Sequence, residues 1–139
     1  MSASLTTHSE EATIEFGREL ARTLPRRVAV LLIGNLGAGK TTLAKGIVSG
    51  LGAALPEDVS SPTFPLIHEY SPSVYHIDLY RLDTEQQVAT LGLDEIFERD
   101  AVVLVEWGER FPRLMPAGRM EIHLSDAGDS SRHIEVRQL

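Results

Sequence analysis

Four residues carry the plainest chemical signal: Gly34, Gly39, Lys40 and Thr41, set in the stretch "GNLGAGKTT" over 34 to 42, follow the pattern G-x-x-x-x-G-K-[ST]. Glycine and alanine let a backbone curl closely around oxygen atoms and turn its N–H groups inward toward an anion. Asn35, Leu36, Gly37, Ala38 and Gly39 would form that cradle. Lys40 brings a compact cation for the β- and γ-phosphates, and the Thr41 hydroxyl is a ligand for Mg²⁺. A helix starting at Lys40 would add the partial positive charge of its N-terminus. This stretch predicts nucleotide binding.

A phosphate loop also needs acids for metal and water, and these are expected at the carboxyl ends of buried strands. Two candidates qualify. In "AVVLVEW" an apolar run leads straight to Glu106, and in "SVYHIDLYRL" Asp78 ends a second run. A carboxylate left there without a partner would be costly, whereas Mg²⁺ and its water would satisfy it. For Asp78 a salt bridge to Arg81 or a turn hydrogen bond is the competing explanation. Thr63, in "SSPTF", lies on the connection after the loop's helix, where a γ-phosphate sensor would sit; a plain proline turn explains it equally well. Trp107 either covers the nucleotide or fills core. His76 shares a strand face with Asp78, but two acids already account for a metal, so His76 reads as an ordinary strand histidine. Lys45 reads as a surface residue.

The elements that must hold these residues are legible by period. "SEEATIEFGRELARTL" (9 to 24) places Ile14, Leu20, Ala21 and Leu24 at helical spacing, with Ser9 as cap and Pro25 as stop. "RVAVLLI" is a continuous branched run suited to a strand covered on both faces. A helix follows over 40 to 51, with Gly50 and Gly52 near its end. "FPLIHEY" and "SVYHIDLY" around "SP" predict a hairpin. "DTEQQVATLGL" predicts a helix capped by Asp83 or Thr84, with Asp94 capping one more turn. "AVVLVEW" is a buried strand, and "MEIHLSD" with "RHIEVRQL" forms a terminal hairpin turning near Gly128. Strands alternating with helices predict a single α/β domain over 1 to 139, with helices on both sides of its sheet.

Composition narrows the function classes. A chain of 139 residues, 42 % hydrophobic and 24 % charged, buries roughly 68–70 % of its unfolded surface without staples. It has no cysteine, which excludes disulfides, thiolate catalysis and zinc–thiolate sites and fits a reducing cytoplasm. The polar, acidic start "MSASLTTHSEEAT" has none of the marks of a secretory leader. The longest apolar run, Val28 to Ile33, is far short of the roughly 20 residues that span a bilayer. A net charge of −7 argues against direct binding of a polyanion, and Arg18, Arg22, Arg26 and Arg27 read as a solvated cluster.

"GNLGAGKTTLAKGIVSGLG", "SSPTFPLIHEY", "YHIDLYRL", "LGLDEIF" and "LVEWGER" occur in this order at close spacing. Together they resemble the TsaE family, the small ATPase of bacterial threonylcarbamoyladenosine modification of tRNA, over roughly residues 9 to 135. The resemblance implies a P-loop α/β fold, three-layered, with a mostly parallel central sheet and antiparallel strands beside it. It implies that Lys40 and Thr41 bind ATP phosphates and Mg²⁺, that Thr42 lines the phosphates, and that Glu106 is a metal ligand. It implies that Asp78 supports the metal or orients water, that Thr63 belongs to a switch-like segment, and that Trp107 walls the site. Adenine would lie between the start of the chain, near Thr7, and the terminal hairpin, near Arg132. The implied partners are two proteins, a TsaD-like modification-enzyme subunit and its TsaB-like companion, with tRNA engaged through that complex and no membrane involved. ATP hydrolysis would reset the complex between rounds of modification at adenosine 37 of tRNAs reading ANN codons. Two positions depart from the family pattern: Asn35 stands where aspartate is usual, and Pro65 where a small polar residue is usual.

Two other classes stay open on the residues alone. A small-molecule or nucleoside kinase needs a second substrate site and commonly an arginine-rich lid, for which "RLDTEQQ" is a poor match. A nucleotide-gated interaction module would bind without needing turnover. A GTPase would need an N-K-x-D-type guanine reader, which the sequence lacks.

Overall fold

The computed structural model describes residues 2–62 and 66–139. The chain runs β1 (Ser2–Thr7), α1 (Glu10–Ala21), β2 (Val28–Ile33), α2 (Lys40–Gly50), β3 (Ile67–Ser71), β4 (Val74–Asp78), α3 (Glu85–Ala89), α4 (Leu93–Phe97), β5 (Val102–Glu106), β6 (Met120–Gly128) and β7 (Ser131–Gln138). All strands join one sheet in the order β1-β7-β6-β2-β5-β4-β3. The four inner strands β6, β2, β5 and β4 are parallel, and antiparallel pairs close both sides.

β2, and β5 up to Glu106, are apolar on both faces because both are covered. Alternate residues sort the core into two layers. Val28, Val30, Leu32, Val74, Val102 and Leu104 pack under α1 and α2. Leu31, Tyr75, Ile77, Val103 and Val105 pack under Val88, Leu93 and Ile96 of α3 and α4. Helices on both faces give the expected three layers. No helix among the described residues is long and apolar enough to cross a membrane.

One strand was not anticipated, and two local expectations need correction. The polar start of the chain is a strand, β1, paired antiparallel to β7 along its whole length. It is a sheet edge with Ser2, Ala3 and Ser4 exposed, so backbone pairing forms it and no apolar run announces it. The helix expected over 83 to 93 ends at Ala89, and the further turn, α4, is capped by Gly92, with a φ of 70°, in place of Asp94. Thr84 caps α3 in a reciprocal box with Gln87. The first helix is capped by Ser9 as expected but ends at Ala21, three residues early. The expectations on Thr63 and Pro65 lie outside the described residues.

Helix α2, which opens on Lys40, is positioned by α1. The two cross so closely that a methyl at Gly46 would overlap the Ile14 carbonyl oxygen, and one at Gly17 would come within 2.8 Å of the Leu43 carbonyl. Alanine favours a helix over glycine by about 1 kcal/mol, but these obstacles are backbone and cannot rotate away. Gly46→Ala should therefore destabilise by a net 1–3 kcal/mol or about that, read as a lower urea midpoint. A midpoint at or above that of the native chain would show that the backbones do not meet there.

Candidate functional site

The parallel register brings the site together. β2 ends at Ile33 and delivers the glycine loop, while Leu32 and Asp78 both pair with Glu106 across β5. Gly37 (φ 80°) and Gly39 (φ 102°) take left-handed backbone conformations open to glycine at no steric cost. Gly39 caps α2 without a side-chain bond, leaving the first-turn N–H groups to a ligand. The Arg132 guanidinium reaches from β7 to the Gly37 carbonyl at 3.3 Å and ties the terminal hairpin to the loop.

Lys40 is 5 % exposed. Its Nζ has no hydrogen-bond partner among the described residues and lies 3.7 Å from the centre of the Trp107 ring. Burial pulls its pKa down, and the carboxylates of Glu106, Glu109 and Asp78 pull it back up. Trp107 reaches this place with a φ of 67°, an uncommon conformation for a residue with a side chain, and its ring packs at 5.1 Å on Tyr80.

Glu106, 2 % exposed, is bonded through Oε2. His76 Nε2 lies 2.7 Å from it, and the Ser61 hydroxyl donates to the same oxygen at 3.5 Å. Ser61 in turn lies 2.5 Å from the Thr41 hydroxyl. Asp78 accepts the Tyr80 N–H on Oδ1 at 2.9 Å, which is the turn bond weighed above; no Asp78–Arg81 ion pair occurs among the described residues. Burial raises the Asp78 pKa, the Tyr80 N–H opposes that rise, and Glu106 adds to it.

These groups line one cleft of about 360 Å³. It brings together Leu36, Gly37, Gly39, Lys40, Thr41, Thr42, Asp78, Glu106, Trp107 and Arg132 of the expected residues, and adds Ser61 and Tyr80. Asn35 and Ala38 face a depression on the far side of the loop, against Leu124 and Asp126. Arg132 also borders a smaller hollow of about 100 Å³ between the start of α1 and the terminal hairpin, with Glu10, Thr13 and Thr42. Thr7 lines neither: it is buried, and its hydroxyl is spent on Thr13 at 2.6 Å.

Sequence reasoning missed Tyr80, which packs beside Trp107 in the cleft, and three further residues. His76 was dismissed, although its parity with Asp78 puts it diagonally across from Glu106 on the α2 side of the sheet. Ser61 carries no signal beyond its place beside Pro62. Lys45 is not a free surface residue; its Nζ donates to the carbonyls of Pro56 and Val59 at 3.2 and 2.9 Å and anchors the connection that carries Ser61.

The donors are hard oxygens: one hydroxyl and two carboxylates. Among the described residues no group of three or more histidine, cysteine, aspartate or glutamate side chains is placed to cage a metal. Such a set suits Mg²⁺, which is held by one or two carboxylates together with phosphates and water. The partnerless Lys40 ammonium suits the phosphates.

Comparison with known proteins shows the family and the fold. The family model described as "Threonylcarbamoyl adenosine biosynthesis protein TsaE" matches residues 7–134. A Bacillus subtilis relative named tRNA threonylcarbamoyladenosine biosynthesis protein TsaE is 45 % identical over 106 residues, covering 74 % of this chain and 65 % of its own length. A Haemophilus influenzae relative of the same name is 34 % identical over 135 residues, covering 91 % and 84 %. The crystal structure of Bacillus subtilis YdiB superposes with a TM-score of 0.80 at 32 % identity, covering 99 % of this chain and 86 % of that one.

The strained charge of Asp78 gives a test of the geometry. Unfolded, the group ionises near 3.8; folded, it ionises higher. Between those values the folded chain holds a proton that the unfolded chain has released, so stability falls as pH rises through the window and stays reduced at neutral pH. Asp78→Asn keeps an acceptor for Tyr80 and removes the charge. The thermal midpoint without nucleotide should rise by about 2–5 °C at neutral pH, and the gain should vanish below about pH 4. A lowered midpoint at neutral pH would mean that the carboxylate is stabilising where it stands.

Proposed function

This chain belongs to the TsaE family, and on that premise we propose that its cleft binds ATP with Mg²⁺ and hydrolyses it in support of threonylcarbamoyladenosine modification of tRNA. The observation that carries this reading is Lys40 Nζ: a buried cation behind a glycine loop, among three carboxylates, with no hydrogen-bond acceptor of its own among the described residues. A buried charge is costly unless it is paired and hydrogen-bonded, and phosphate oxygens would supply the missing acceptors.

In this reading Lys40 moves from the Trp107 face onto the β- and γ-phosphates, while the loop N–H groups and the first turn of α2 hold the remaining oxygens. The Thr41 hydroxyl, Asp78 and Glu106 hold Mg²⁺, which neutralises charge on the transferring phosphoryl group when bound. Asp78 also orients the attacking water. Trp107 and Tyr80 wall the site, and Arg132 borders the place for adenine. Thr63 supplies the switch-like contact implied by the family.

Turnover is slow in the isolated chain and rises within a cytoplasmic complex with two partner proteins, TsaD-like and TsaB-like. Hydrolysis resets that complex between rounds of modification at adenosine 37. With a net charge of −7, the chain meets tRNA through its partners and not by its own field.

Two measurements test this. Lys40→Ala should weaken ATP binding at least 100-fold by calorimetry, or about 2.7 kcal/mol; unchanged affinity would end the loop assignment. Adding the native chain and ATP to the partner pair and tRNA should raise multiple-turnover modification several-fold. If leaving the chain out makes no difference to that rate, the proposed role fails.

A further inference from the structure

His76 is fully buried, at 0 % exposure, with apolar neighbours on the same face at Val74 and Leu104. Its Nδ1 has no hydrogen-bond partner among the described residues. A side chain present only to fill this space would do so at lower cost as leucine, since an imidazole brings a buried ring nitrogen that goes unsatisfied. What the imidazole gains is one short contact, Nε2 to Glu106 Oε2 at 2.7 Å. A carboxylate only accepts, so Nε2 carries the proton. The ring is also held from the side by Tyr70, tilted by 30° at 6.4 Å, and Tyr70 is braced edge-on by His68 at 5.9 Å.

The second donor to Oε2 is the Ser61 hydroxyl. Both protein donors therefore converge on one oxygen of Glu106. The other, Oε1, accepts no hydrogen bond from the described residues, and the Glu106 side chain lines the cleft.

We propose that His76 is a positioning residue for Glu106: it commits Oε2 to the protein and presents Oε1 to the cleft as a single, fixed ligand oxygen for Mg²⁺. This rests on the Mg²⁺–nucleotide reading above. A carboxylate without this anchor swings between one-oxygen and two-oxygen presentation, and Mg²⁺ demands near-ideal octahedral geometry. Partners that orient a metal ligand from behind are typically worth about 10–100-fold in metal affinity. The role is one of orientation through a hydrogen bond.

The experiment measures binding of a non-hydrolysable ATP analogue by calorimetry, with and without Mg²⁺, and the Mg²⁺ concentration for half-maximal effect. His76→Leu fills the space without a donor, and His76→Gln places an amide N–H near the Nε2 position. Each is made alone and with Glu106→Gln, and melting curves confirm folding. His76→Leu should raise the Mg²⁺ requirement about 10-fold while leaving Mg²⁺-free affinity within about twofold. His76→Gln should stay within about threefold of the native chain. In the Glu106→Gln background, His76→Leu should add nothing.

A native-like Mg²⁺ requirement in His76→Leu overturns the proposal. So does an equal loss in His76→Gln, or a loss that persists without the Glu106 carboxylate. Should His76→Leu not fold, His76→Asn, whose amide is too short to reach Glu106, takes its place under the same criteria. A native chain that gains no analogue affinity from Mg²⁺ defeats the Mg²⁺–nucleotide reading itself and the positioning role with it, and is told apart by the native chain alone.

Discussion

Lys40 puts an ammonium into the floor of a cleft where water has little access, and much of the surrounding architecture is an answer to that charge. Three carboxylates approach it from three places: Asp78 from the end of β4, Glu106 from the end of β5, and Glu109 from the turn that follows. The indole of Trp107 covers it with the negative face of a π system. None of these supplies a hydrogen bond. The charge is compensated electrostatically and left unsatisfied locally, which stabilises the fold less than a paired ion would and leaves the cation available to a ligand.

The topology makes that compensation possible. In a parallel sheet all strands end on the same side, so the loop after β2 and the acids closing β4 and β5 arrive at one edge without any long excursion of the chain. The α1–α2 crossing fixes how far Lys40 and Thr41 project from that edge, since glycines let the two backbones touch. The antiparallel hairpin on the other side contributes through Arg132, whose guanidinium spans from β7 to the loop carbonyl of Gly37.

The parts of this arrangement legible in the sequence are those with a strong local cause. β2 and β5 announce themselves by unbroken branched runs, and the loop by glycines at fixed spacing. Asp78 and Glu106 follow from lying at the ends of such runs. β1 was not legible because an edge strand needs only backbone pairing, and its partner β7 is more than 120 residues away in sequence. His76 and Ser61 were missed for a related reason: their significance lies in contacts to Glu106 across 30 and 45 residues. Lys45 looked like helix surface because nothing local reveals that the Pro56–Val59 segment folds back over it. Thr7 is the converse case: it carries a hydroxyl near the expected adenine side, but that hydroxyl is bonded to a neighbour six residues on.

The contact between Lys40 and Trp107 has an optical side. The chain contains one tryptophan, so its indole emission comes from a single place, and that place has a cation resting on the ring. Indole emission is sensitive to nearby charge. Any ligand that draws the ammonium away changes the field across the one indole in the molecule. The arrangement that keeps a buried charge tolerable thereby makes the site its own reporter, registering the departure of its lysine in light.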